Sequence, residues 1–171
     1  MKAGCVICGP DVAFGPLALL SGTFEEKAKK AAALGYDGVE LMVRDPAGLD
    51  WPYVKRTLED AGLQVPQVVT GELFGADGLR LVTPDDDLYR RAVQRTQSVI
   101  DLAGFLGAMV NIGRLRGRLE GLAAENPWAE AVERLGRLAD YAAQRGVRIS
   151  LEPLNRYETD FIHDVADGLR M

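Results

Sequence analysis

The sequence predicts an α/β fold, a (β/α)8 barrel represented by its first four βα units, the fifth strand and the start of the fifth helix. Three observations predict it. Short apolar runs alternate regularly with longer amphipathic ones, which implies parallel strands joined by right-handed crossovers. The loops that follow strands are long, whereas those that follow helices are tight, so the elaborated loops gather at the C-terminal face of a barrel. The loop after the first strand, CGPDVAFGPLALLSGT, has no G-x-G-x-x-G turn, which disfavours a doubly wound nucleotide-binding sheet.

Residues 5–8 (CVIC) form the first candidate strand, followed by a loop with Gly9, Pro10, Gly15 and Pro16. Thr23 and Glu26 have the spacing of a capping box, opening a helix to about Leu34 that stops at Gly35. Residues 37–43 (DGVELMV) read as the second strand, and a helix over 51–61 closes at Gly62. Residues 64–70 are the third strand, leading into a glycine-rich loop with Gly71, Gly75 and Gly78. Thr83-Pro84 reads as an N-cap and first-turn proline for a helix over 85–105. Residues 108–112 are the fourth strand. Asn126-Pro127 opens a helix that ends at Gly146 and is expected to bury Trp128, Val132, Leu135, Leu138 and Tyr141, or near neighbours, at helical spacing. Residues 147–151 (VRISL) are the fifth strand, and Asp164 caps a fifth helix with Asp167 at its third position.

The expected domain is a single partial barrel over residues 1–171, truncated at its C-terminus, because a whole barrel takes about 250 residues. An open half barrel exposes strand edges, so closure against another copy, a homo-oligomer, is the other reading. The composition, 47% hydrophobic and 26% charged, is that of an ordinary globular domain. With no apolar run long enough for a membrane span and no convincing leader, the expectation is a cytoplasmic protein with no membrane partner. The net charge of −5 disfavours nucleic acid as a partner. Arg114, Arg116 and Arg118 are the one candidate basic patch.

Cys5 and Cys8 lie three apart and face opposite sides of a strand, so they read as buried apolar residues and not as a redox or metal pair. Trp51 and Trp128 read as helix packing, and His163 as a polar residue beside a helix cap. Glu40, between Val39 and Leu41, faces the barrel interior if its neighbours face the helices. It is then either a site residue or a hydrogen-bonded member of a lower layer. Glu72 has a similar but weaker claim.

The most informative segment is ISLEPLNRYETD, over residues 149–160. A buried strand ends in Glu152, which a barrel places at its mouth. Oxygen ligands there suit a hard divalent cation. A solvent-exposed strand-end charge is the competing reading. LEPLNRYET, with RGVRISL before it, resembles the fifth-strand motif of the tagatose/psicose 3-epimerase group of the xylose isomerase-like TIM barrels. GYDGVEL (35–41) resembles the second-strand motif of the same superfamily, and VNIGRLRG (110–117) the fourth strand and loop of some members.

This resemblance implies a sugar isomerase/epimerase that moves a proton next to a ketose carbonyl through an enediolate. It implies Glu152 as first metal ligand and catalytic acid/base, and Glu158 as a substrate-binding carboxylate. Asn155 and Arg156 would support the loop. The implied cofactor is Mn²⁺, Mg²⁺ or Co²⁺, and the implied partner is a small-molecule sugar. The other ligands, an Asp, a His and a second Glu, belong to strands six to eight, so the chain alone is expected to be inactive. Inosose dehydratase-like and endonuclease IV-like enzymes share the barrel and are the alternative lyase and hydrolase readings. The acidic charge speaks against the nuclease, and the NRYE motif favours the epimerase.

Overall fold

The computed structural model describes residues 1–13 and 18–171, so Gly15 and Pro16 of the first loop lie outside the described residues. The strands are β1 (Gly4–Cys8), β2 (Gly38–Met42), β3 (Gln64–Val69), β4 (Met109–Ile112) and β5 (Ile149–Leu151). They pair in parallel in the order β1-β2-β3-β4-β5. Sequential neighbours joined by helices are the layout of a barrel wall, and the sheet stops after the fifth strand. The helices are α1 (Phe24–Ala33), α2 (Trp51–Asp60), α3 (Gly71–Gly75), α4 (Asp86–Leu106), α5 (Pro127–Ala143) and α6 (Val165–Arg170). Two 3-10 turns, Pro46–Gly48 and Arg114–Arg116, follow β2 and β4. Among the described residues, no helix is long and apolar enough to cross a membrane.

The period of two along each strand sorts side chains between the faces. Ile7, Val39, Leu41, Val68, Val110 and Ile112 bury on the helix side with α1, α2, α4 and α5. Cys8, Met42 and Val69 pack on the inner side. Cys5 and Cys8 are not joined by a disulfide and pack in different clusters, as their spacing requires. The register stacks the inner face in layers. Val6, Glu40, Gln67 and Met109 are in register, and the next layer toward the C-terminal ends holds Cys8, Met42, Val69, Asn111 and Ser150.

The helix starts follow local chemistry. The Thr23–Glu26 box forms in both directions, the Thr23 hydroxyl accepting from Glu26 N (3.2 Å) and the Glu26 carboxylate from Thr23 N (2.9 Å). Asn126 accepts from Ala129 N and Asp164 from Asp167 N. On α5, Ala131, Leu135, Leu138 and Ala142 are buried, while Trp128, Val132 and Tyr141 are half-buried along the margin of that stripe.

Two expectations are corrected. The N-cap of α4 is Asp85, not Thr83: the Asp85 carboxylate accepts from Leu88 N (2.9 Å), and the Thr83 hydroxyl instead accepts from Asp85 N. Pro84 therefore lies outside the helix. The glycine-rich stretch after β3 is also not all loop, since Gly71–Gly75 make one helical turn that buries Leu73 completely.

Candidate functional site

A hollow of about 650 Å³ opens on the inner face of the sheet toward the C-terminal strand ends. Glu40, Gln67, Asn111, Arg114, Glu152 and Glu158 bring its polar groups together. A second hollow of about 600 Å³ lies at the N-terminal strand ends, lined by Lys2, Asp37, Lys55 and Glu59 among others. In a βα barrel that face serves stability and the C-terminal face serves chemistry, so the first hollow is the candidate site.

Glu152 directly follows β5. Its backbone N–H donates to Ile112 O (3.0 Å), continuing the ladder one residue past the strand, and its carbonyl accepts from Arg116 Nη1. Both backbone groups are thus tied down. The carboxylate itself accepts no hydrogen bond among the described residues. It stands over Gly113, where a Cβ would lie 2.8 Å from Glu152 Oε2.

Glu158 lines the same hollow. Its Oε1 accepts from Asn155 Nδ2 (2.6 Å) and its Oε2 lies 3.9 Å from Arg114 Nε. Asn155 Oδ1 accepts from Tyr157 N (2.9 Å), so Asn155 both turns the loop and aims the carboxylate. Arg114 is held from its other side by the Phe74 ring of α3, 5.2 Å from the guanidinium carbon.

Glu40 faces the hollow, with Val39 and Leu41 fully buried against the helices. It lies two layers below Glu152, on the order of 13 Å along the strands at their usual rise. Glu72, on α3, does not line the hollow; its carboxylate lies on the Gly75 side. His163 is exposed: its backbone N–H donates to Asp167, and ring Nδ1, as the N–H tautomer, bonds Leu154 O at 3.1 Å. Trp51 donates from Nε1 to Pro46 O and packs on Phe105, and Trp128 meets Phe161 edge-on. Both tryptophans serve helix packing.

The three arginines after β4 do not form one basic surface. Arg114 is a hollow-lining group, and Arg118 donates to Glu158 O (3.3 Å). Arg116 is completely buried. Its guanidinium bonds the carbonyls of Gly113, Glu152 and Ile162, and its Nε has no partner. Burial pulls its pKa below the ordinary value, against the opposing pull of Glu152, Asp160 and Glu158. From the sequence Arg114, Arg116 and Arg118 read together as a candidate basic patch; neither spacing nor composition separates a solvated arginine from an internal one.

Glu152 supplies the kind of donor a hard cation takes, an unengaged carboxylate oxygen at a barrel mouth. Among the described residues no three His, Cys, Asp or Glu converge. The fit is therefore of one ligand in kind.

A parallel βα wall with its polar groups at the C-terminal mouth defines the class as a TIM-type barrel with its chemistry-bearing residues on the face that serves chemistry. Residues 28–171 match the family described as xylose isomerase-like TIM barrel, and the chain belongs to that family. It is 30% identical over 145 residues to the L-ribulose 3-epimerase of Methylomonas sp. (strain DH-1), covering 81% of this chain and 48% of that protein. It is 26% identical over 138 residues to the ketose 3-epimerase of Arthrobacter globiformis, covering 79% and 46%. The chain spans about half the length of the curated relatives it matches. The crystal structure of the D-allulose 3-epimerase from Methylomonas sp. in complex with D-allulose superposes with a TM-score of 0.72 at 24% identity, covering 99% of this chain and 57% of that one. That likeness bears on the fold.

Proposed function

We propose that residues 1–171 form one partial barrel domain carrying the first half of a ketose epimerase site. In this reading Glu152 is a metal ligand and the acid/base group, and Glu158 binds the sugar. The observation that carries it is the Glu152 carboxylate: fixed through its own backbone, accepting no hydrogen bond among the described residues, and facing the same hollow as Glu158.

A divalent cation, when bound, supplies electrostatic stabilisation for negative charge that develops on the ketose carbonyl oxygen. Everything else falls to the chain. Glu152 takes the proton from the carbon beside the carbonyl on one face, generating an enediolate, and can return it to that face. A carboxylate suits this role once its surroundings tune its affinity for the proton. Glu158, aimed by Asn155 and steadied by Arg114, accepts hydrogen bonds from sugar hydroxyls. Inversion at carbon needs a second base on the opposite face; among the described residues the other carboxylates lining the hollow are Glu158, which this reading gives to the sugar hydroxyls, and Glu40, two layers below. The 171-residue chain alone therefore turns over no ketose.

The test is an NMR titration of the labelled chain with Mn²⁺, alongside an assay on D-allulose. Mn²⁺ is expected to broaden the amides of Gly113 and Glu152 selectively, and Glu152→Gln to remove that effect. Broadening that survives in Glu152→Gln would sink the ligand assignment, and turnover of D-allulose by the unmodified chain would overturn the inactivity.

A further inference from the structure

The geometry points to Arg116 as the positioning residue that sets where Glu152 stands, by holding the loop after β5 against the loop after β4 from inside. This rests on the reading of Glu152 given above.

Arg116 is the one charged side chain with no exposure at all among the described residues. It forms no ion pair there, and its partners are backbone carbonyls: Gly113 at the end of β4, Glu152 itself, and Ile162 before α6 (3.0 Å). A buried guanidinium satisfied only by neutral acceptors is an expensive choice for stability, and an apolar residue of similar volume would serve packing better. Its distinguishing property is the planar fork, which fixes several acceptors in one plane, as a lysine cannot.

The third acceptor shows what is being held. Ile162 has φ 58°, the one non-glycine residue in the left-handed region among the described residues. A β-branched residue there is strained and persists only where its surroundings over-determine it. Two donors meet on its carbonyl, Arg116 Nη2 and Leu154 N (3.1 Å). The Phe161 ring lies 5.6 Å from the guanidinium carbon and closes one side. The contacts around this centre are peripheral: Asp160 accepts from the N–H groups of Leu119 and Glu120, and Thr159 Oγ1 donates to Gly117 O. They pair the two loops at the rim. Among the described residues Arg116 is the side chain that connects that pairing to the backbone of Glu152, beside the ladder bond from Glu152 N–H to Ile112 O.

The experiment is site-resolved amide hydrogen exchange on the full chain and on Arg116→Met and Arg116→Lys. Loss of the fork is expected to speed exchange at Glu152 and Leu154 roughly tenfold or more, while Val39, Leu41 and Val68 keep their protection, because local opening is separable from global unfolding. Arg116→Lys is expected to fall between the two, and it decides the matter by the same amides if Arg116→Met does not fold. Unchanged exchange at Glu152 and Leu154, or equal acceleration throughout β1–β3, would overturn the inference. Mn²⁺ broadening at Gly113, measured on the same samples, is expected to weaken in Arg116→Met. If Mn²⁺ does not reach Glu152 even in the unmodified chain, the metal reading fails while exchange still decides on Arg116.

Discussion

Gly113 and Glu152 are fitted to each other across β4 and β5: a Cβ on Gly113 would come within 2.8 Å of Glu152 Oε2 and 3.7 Å of its Cδ. The space that a side chain would take is the space the carboxylate uses. The obstructing atoms are the far end of a flexible side chain, so Gly113→Ala displaces the carboxylate more readily than it disrupts the fold. The expected outcome is a stability loss of about 1 kcal/mol, with Mn²⁺ broadening at Glu152 reduced nearly as far as in Glu152→Gln. A variant that keeps full broadening would show that the carboxylate does not need this place.

Gly117 stands in a different position. Its φ is +87°, and a Cβ would lie 2.1 Å from Val82 O and 3.1 Å from Val82 N, both backbone atoms that cannot swing aside. Val82 N donates to Arg116 O and Arg118 N donates to Val82 O, so the approach is part of the hydrogen-bonding that seats the loop after β4. Gly117→Ala combines a left-handed backbone with a steric clash and is expected to cost roughly 2–4 kcal/mol. Urea unfolding should show the midpoint falling with the slope unchanged.

Legibility in the sequence divides along the range of the interactions. Thr23 with Glu26, Asn126 with Pro127, and Asp164 with Asp167 are local signals, and each formed as spaced. The inward direction of Glu40 followed from period two, given Val39 and Leu41. Helix α3 was not legible because Gly71 and Gly75 argue against a helix; the turn exists because it buries Leu73, a tertiary gain. Thr83 and Asp85 are both competent caps, and only the direction of the chain leaving Val82 selects the second. Arg114, Arg116 and Arg118 alternate in sequence, yet they end as a hollow-lining group, a buried strut and a rim contact. That division comes from the turn Arg114–Arg116 and from Ile162, some forty-six positions further on. The position of Glu152 at the end of β5 and the support of the loop by Asn155 were legible; the hold of Arg116 on the Glu152 carbonyl was not.

At the start of α1, the Thr23 hydroxyl and the Glu26 carboxylate each satisfy one backbone N–H left over by the helix. Thr23→Ala leaves the Glu26 N–H without its acceptor and is expected to cost about 1 kcal/mol, whereas Thr23→Ser should keep nearly all the stability. Thermal or urea unfolding of the two variants side by side checks this; equal losses would mean the methyl group, not the hydroxyl, matters here.

Asp77 ties three segments together. It accepts from Arg44 Nε (3.1 Å) and Nη2 (2.7 Å) after β2, and from Arg95 Nη1 (3.4 Å) on α4. The hydrogen bonds from Arg44 hold its pKa below the ordinary value of 3.8; burial opposes them, and the charges of Arg44, Arg95 and Arg91 add to them. A carboxylate depressed in the folded state contributes stability that is fully present above 3.8 and is lost as pH falls through the lower folded value. Asp77→Asn removes that contribution, so its stability should fall less than that of the unmodified chain between about pH 5 and about pH 2.5. Arg44 is half exposed, and the difference should shrink as salt is added. Thermal melts of both proteins across that range decide the point: parallel curves would mean that Asp77 keeps an ordinary pKa and that acid unfolds the domain through other groups.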